Sequence, residues 1–182
     1  TINGIDTARF SKNIDSSAEK REFSLSDDKF RVTYVSRIDT EVALTGFLLC
    51  DAAEKLADAI PSLEILEVGG GTAFDKLRAR AGEVNKKLGR EVVKLTGART
   101  DVAELIATGD IFAGVSRAAL EAMSMEKPVI LAGAQGYIGV LTEDNLSLAE
   151  STNFCCRGEK LPTADDLAAD IKRLNDAGKA ER

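Results

Sequence analysis

The residues of this 182-residue chain whose types and spacing could do chemistry are gathered in one stretch, GDIFAGVSRAALEAMSMEKPVILAGAQG, from Gly109 to Gly136. Ser116 stands where an apolar run gives way to helix-favouring residues, the position of an N-cap, and the amide groups of the next turn together with the helix dipole favour an anion such as phosphate. Arg117 adds a fixed positive charge. Glu121, just over one turn later, can accept hydrogen bonds from neutral hydroxyls lying beside a phosphate. The same two residues also satisfy a plain i, i+4 surface ion pair, worth about 0.2–0.5 kcal/mol.

Composition narrows the chemistry. The chain has no histidine, which removes Ser-His-Asp and Cys-His nucleophile arrangements and most zinc sites. What remains is carboxylate, lysine, arginine, hydroxyl or backbone chemistry, and no metal site is expected. Cys50, Cys155 and Cys156 are odd in number and lack CxxC spacing, so neither a disulfide framework nor a zinc knuckle is indicated. They are expected to be reduced and structural, in a cytoplasmic protein; the competing reading is a reactive thiol activated by Arg157. The net charge is −6, with 24 basic residues scattered among 30 acidic ones, which argues against a nucleic-acid partner. No apolar run is long enough to span a bilayer.

The elements that must position Ser116, Arg117 and Glu121 are a strand (Ile111, Phe112, Ala113), a helix over Ala118 to Met125 stopped by Lys127-Pro128, and a second strand, Val129 to Ala132. Ligands gather where the carboxyl end of such a strand meets the start of the next helix. Upstream, FRVTYV at 30 to 35 and LEILEV at 63 to 68 read as strands, and Glu41 to Ile60 as a largely buried helix ended by Pro61. Gly69, Gly70 and Gly71 form a loop that misses the dinucleotide fingerprint but would let backbone approach a ligand, so Gly70 and Gly71 join the candidate site. Thr72 is placed to cap a helix from Ala73 to Leu88, Val92 to Leu95 makes a third strand, and Thr100 introduces a short helix to Ala107. Beyond Gly136 the pattern gives a loop with Tyr137, a helix from Glu143 to Glu150, an apolar run Phe154-Cys155-Cys156, and a last helix from Ala164 to Asn175 introduced by Pro162-Thr163. Five or six strands alternating with helices imply a doubly wound, Rossmann-like α/β domain with a mainly parallel sheet. It is expected over 30–176, after a polar approach and linker segment at 1–29 and before a frayed tail at 177–182.

In that order the motifs resemble the carboxyl-terminal, donor-binding domain of GT-B fold glycosyltransferases, especially glycosyltransferase family four. NGID with Phe10 is similar to the family's inter-domain segment, VSRID at 35 to 39 to its Gly-Arg-Leu-Asp loop, and EVGGGTAFDKL at 67 to 77 to its valine-glycine strand end. TGARTDVAELIATGDIFAGVS at 96 to 116 and LEAMSMEKPVILAGAQG at 120 to 136 resemble the aspartate-strand-serine segment and the Leu-Glu-Ala-Met, Lys-Pro-Val block that follows it. The resemblance implies a nucleotide-diphosphate sugar as donor substrate, with no further cofactor. It implies Arg37 on the donor diphosphate, Glu121 on the ribose, and an acceptor held by an amino-terminal domain missing from the chain. The chain alone is then expected to be inactive. Three positions depart from the family pattern: Val42 replaces a lysine, Ala113 stands where an earlier glutamate is expected, and Ser36 replaces a glycine. The turn SRAALE is also similar to inverting GT-B enzymes and to the related epimerases. A non-catalytic binding or assembly module of the same fold is the other reading.

Overall fold

The computed structural model describes residues 4–178. Their strands are β1 (Phe30–Val35), β2 (Leu63–Val68), β3 (Val93–Gly97), β4 (Ile111–Gly114), β5 (Val129–Gly133) and β6 (Gly136–Val140). They form one sheet in the order β3-β2-β1-β4-β5-β6, parallel throughout except for β6, which runs antiparallel to β5. The helices are α1 (Ser17–Glu22), α2 (Leu44–Leu56), α3 (Phe74–Leu88), α4 (Val102–Ala107), α5 (Ser116–Ser124), α6 (Glu143–Ser151) and α7 (Ala164–Asp176). This is the doubly wound α/β architecture the alternating pattern predicts.

The period of two along each strand sorts side chains onto two cores. Phe30, Val32 and Tyr34 of β1, with Ile65, Ile111 and Ile130, face a layer of α2, α3 and α7 that contributes Leu49, Leu77 and Ile171. Phe112, Val129 and Leu131 face the other layer, where α4 to α6 supply Ile106, Ala119, Ala122 and Ala149. β1, β2, β4 and β5 are covered on both faces, which is why β4 and β5 read as continuous apolar runs, while β1 and β2 bury Arg31, Glu64 and Glu67 among their apolar residues.

Several expectations need correction. The segment before β1 is not merely a solvated approach: Phe10 is buried in the core cluster that α4, α5 and α6 form with β4 and β5, and Leu25 in that of Leu66, Val68 and Leu105. Its first three residues, and residues 179–182 of the expected tail, lie outside the described residues. The helix expected from Glu41 starts at Leu44, because Val42 and Ala43 close a turn onto the Asp39 carbonyl. Thr72 does not cap α3; its backbone N–H and its hydroxyl bond Asp39 Oδ1 instead, and the cap position is Ala73. Asp101, rather than Thr100, precedes α4. The loop expected around Tyr137 is strand β6. The apolar run Phe154-Cys155-Cys156 lies in a loop, with Asn153, Phe154 and Cys156 at φ of 53°, 56° and 56°.

Candidate functional site

The strand order sets the place of the site. From β1 the chain moves outward to β2 and β3, then returns to the other side of β1 as β4, so the loops after β1 and β4 diverge and leave a crevice at their carboxyl ends. A cleft of about 850 Å³ opens there, within the range of roughly 300–1,000 Å³ usual for small-molecule sites. Part of its lining is apolar, with Val35, Val115, Ala118 and Ala132; Thr45 contributes a hydroxyl that donates to the Ala132 carbonyl at 3.0 Å. Tyr34 also lines it, and burial pushes its phenol up to about 12, so it stays protonated at neutral pH. A smaller recess of about 300 Å³ lies beside α3 and β3. Its polar groups serve the fold, since Asn85 binds the backbone of Val92 and Val93 and Lys94 pairs with Glu64.

The cleft brings together four of the six residues predicted from sequence: Arg37, Ser116, Arg117 and Glu121. Arg37 follows β1 by two residues on a loop tied to β2 through Ser36 N–H to Val68 O and Ile38 N–H to Gly70 O. Its side chain is 79% exposed and meets Asp39 only at 3.4 Å, so the guanidinium is held loosely. Glu121 sits on the buried face of α5 with 7% of its surface exposed. Its Oε1 accepts from Arg117 Nε at 2.9 Å, while Arg117 itself is 65% exposed. The i, i+4 pair therefore exists, and it lies on the cleft wall: the ion-pair reading and the site reading describe the same two side chains.

Ser116 differs from expectation. The cap position is Val115, in extended geometry, and Ser116 opens α5 with φ at 60°. Its N–H donates to the Phe154 carbonyl at 2.6 Å, so this first amide serves the loop after α6 and does not face an incoming anion. Gly70 and Gly71 are not cleft-lining residues. Their absent side chains admit a neighbouring loop: a Cβ on Gly71 would stand 2.5 Å from Asp39 Oδ1 and 2.6 Å from the Ile38 carbonyl, and one on Gly70 would press on Ala98. The backbone that approaches closely here is the protein's own.

Val42 is on the cleft wall, so the position where the resemblance expects a lysine does face the site, with an apolar side chain. Ala113 is buried in β4. Gln135, Cys155 and Arg157 also line the cleft; the sequence points to Arg157 only as the charge that could activate a neighbouring thiol, and to Gln135 not at all. Arg157 comes from the loop after α6, some forty positions from Arg117, and no local pattern signals that the two converge. The three cysteines are free thiols. Burial raises Cys50 and pushes Cys156 up to about 11, which keeps both protonated and inert.

A six-stranded, mostly parallel Rossmann-like sheet with this switch-point cleft is the carboxyl-terminal domain type of GT-B glycosyltransferases. The chain belongs to the family Glycosyl transferases group 1, whose model matches residues 29–176. Among solved structures, it is similar to HepE (Alr3699) of Anabaena in complex with UDP, at 23% identity and a TM-score of 0.68 over 98% of this chain and 48% of that one. A glycosyltransferase from Rickettsia africae matches at 18% identity, TM-score 0.70, over 96% of this chain and 46% of that one. The C-terminal domain of the group 1 protein LpcC from Francisella tularensis matches at 16% identity, TM-score 0.67, over 95% and 88%. The chain thus spans about half the length of the first two. No curated protein matches it by sequence. Among the described residues, no helix is long and apolar enough to cross a membrane.

Proposed function

We propose that the cleft binds the nucleotide-diphosphate sugar donor of a cytoplasmic glycosyltransferase whose acceptor is held by a further, amino-terminal domain. The observation that carries this reading is charge: in a chain of net charge −6, the cleft is lined by three arginines, Arg37, Arg117 and Arg157, against the single carboxylate of Glu121. A diphosphate suits the guanidinium forks, and a buried carboxylate suits the vicinal hydroxyls of a ribose. Arg37 is assigned to the diphosphate and Glu121 to the ribose. Arg117 orients Glu121 and adds to the field that stabilises the departing diphosphate. In this scheme transfer rests on positioning and charge neutralisation, with neither a metal nor a cofactor beyond the donor.

Calorimetric titration with UDP, GDP, ADP and CDP and their sugars tests the reading, and HepE, described in complexes with UDP and with UDP-glucose, makes uridine nucleotides the first to try. Glu121→Ala and Arg37→Ala should each weaken binding by about 1–3 kcal/mol, the range for a hydrogen bond to a charged group, with an unchanged circular dichroism spectrum. Unaltered affinity in both variants would mean the donor binds elsewhere. The chain alone should bind without turnover, and measurable transfer by residues 1–182 would refute the two-domain scheme. The apolar Val42 in the wall favours one rival, a non-catalytic module of the same fold; that reading gains if no nucleoside diphosphate binds at all.

A further inference from the structure

Of the three arginines lining the cleft, two already have a carboxylate: Arg37 meets Asp39, and Arg117 holds Glu121. Arg157 has no ion pair or hydrogen bond among the described residues. On the side of the β1–α2 loop, Val42 contributes only apolar surface, so the β1–α2 wall offers Arg37 as its single cation. The charge that could close around a second phosphate comes from the loop after α6.

The backbone of that loop is held in place on either side of Arg157. Phe154 N–H donates to Ala149 O at 2.7 Å, Cys156 N–H to Thr152 Oγ1 at 3.2 Å, and Glu159 N–H to Cys156 O at 3.1 Å. Two cleft elements lock onto it. The Phe154 carbonyl receives the Ser116 N–H from the start of α5, and Gly136, at the start of β6, lies so close that a Cβ there would fall 1.9 Å from the Cys156 carbonyl oxygen. Arg157 therefore follows directly on a segment fastened to both the β4–α5 turn and the β5–β6 turn. A cation delivered by a fastened loop loses less freedom on binding than one on a mobile tether.

We propose that Arg157 is a donor-binding residue that grips the diphosphate from the wall facing Arg37, supplying from the α6–α7 loop the second cation that the β1–α2 loop lacks. This rests on the reading of the cleft as a nucleotide-diphosphate sugar site. It makes Arg157 specific for the phosphates, with no part in holding the nucleoside.

The test titrates UDP, GDP, ADP and CDP, each beside its own nucleoside, against the wild-type chain and against Arg157→Ala, Arg157→Gln and Arg157→Lys, with melting temperatures measured in parallel. The expected result is a loss of about tenfold or more in diphosphate affinity for Arg157→Ala and Arg157→Gln, unchanged nucleoside affinity, partial recovery in Arg157→Lys, and a shallower salt dependence. Melting temperatures should stay at the wild-type value, since the side chain is exposed and unpaired. If the wild type binds diphosphates and Arg157→Ala binds them equally well, the proposal fails while the donor-site reading stands. Equal loss of nucleoside and diphosphate, or a lowered melting temperature in both neutral variants, would assign Arg157 a structural role and overturn it. If the wild type prefers no diphosphate over its nucleoside, the donor-site reading fails and this inference falls with it.

Discussion

Replacing Glu67 by glutamine should make the protein more stable, and increasingly so as pH rises. Glu67 is on β2, facing the α2/α3 core, fully buried beside Tyr34, Gly46, Cys50 and Leu77. Its Oε2 has no hydrogen-bond partner, and its Oε1 has only the Cys50 thiol at 3.8 Å. Desolvation with no compensating cation raises its pKa well above the ordinary 4.5, so the folded state holds a neutral carboxylic acid. The sign follows from linkage. Below the unfolded-state pKa of about 4.3 both states are protonated and nothing is lost. Above it the unfolded chain releases the proton while the folded chain keeps it, so stability falls by about 1.4 kcal/mol per pH unit until the raised folded value is reached. Glutamine keeps the shape and removes the titration. Urea unfolding of both proteins at pH 5, 6 and 7 should therefore show curves whose separation widens by about 1.4 kcal/mol per unit at constant m-value. Parallel pH profiles would show that Glu67 ionises in the folded protein as it does in the unfolded chain, and the account of its burial would be wrong.

At the opposite end of the sheet, Arg31 is 2% exposed, with Nε on Glu64 at 2.6 Å and its other nitrogens on the carbonyls of Thr108 and Ser26. Arg31→Met should cost about 1–3 kcal/mol in chemical unfolding, because the carbonyls of Thr108 and Ser26 lose a donor and Glu64 keeps only Lys94 as a cation, and the double variant with Glu64→Leu should depart from the sum of the two single losses; additive losses would contradict the pairing. Gly136→Ala should lower stability by about 2 kcal/mol or more and weaken donor binding, since the new methyl meets the Cys156 carbonyl at a φ of 156°; an unaffected melting curve would mean the loop can move aside. Cys155 should react with a disulfide reagent well before the buried Cys50 and Cys156, and nucleotide should slow it. Labelling rates indifferent to a nucleotide that demonstrably binds would place that ligand away from this wall of the cleft.

The sequence was most legible where one physical cause dominates. β1 and β2 match the predicted bounds at Phe30–Val35 and Leu63–Val68 because β-branched and aromatic residues in the first, and alternating apolar residues in the second, stand between turn formers. Arg117 and Glu121 are legible as cleft-lining residues because a helix start is a local signal. β6 was not legible, because Gly136 and Gly139 interrupt its pattern and Tyr137 and Ile138 are only half-buried at the sheet edge. Ser116 was read as a cap because the residue type and the change of pattern fit. In the fold it stands at positive φ with its N–H on the Phe154 carbonyl, nearly forty residues away, and no window around Ser116 contains that contact. The glycines after β2 carry the same lesson in reverse: their type implies approach to a ligand, and the fold shows Gly71 closed upon by the Ile38–Asp39 loop and Gly70 by Ala98. A site at a topological switch point is assembled from chain ends that sequence keeps apart. Its local half, the helix start, can be read in advance; of its distant half the sequence offers Arg157 only as a neighbour of Cys155 and Cys156, and its convergence with Arg37 and Arg117 shows only in the folded chain.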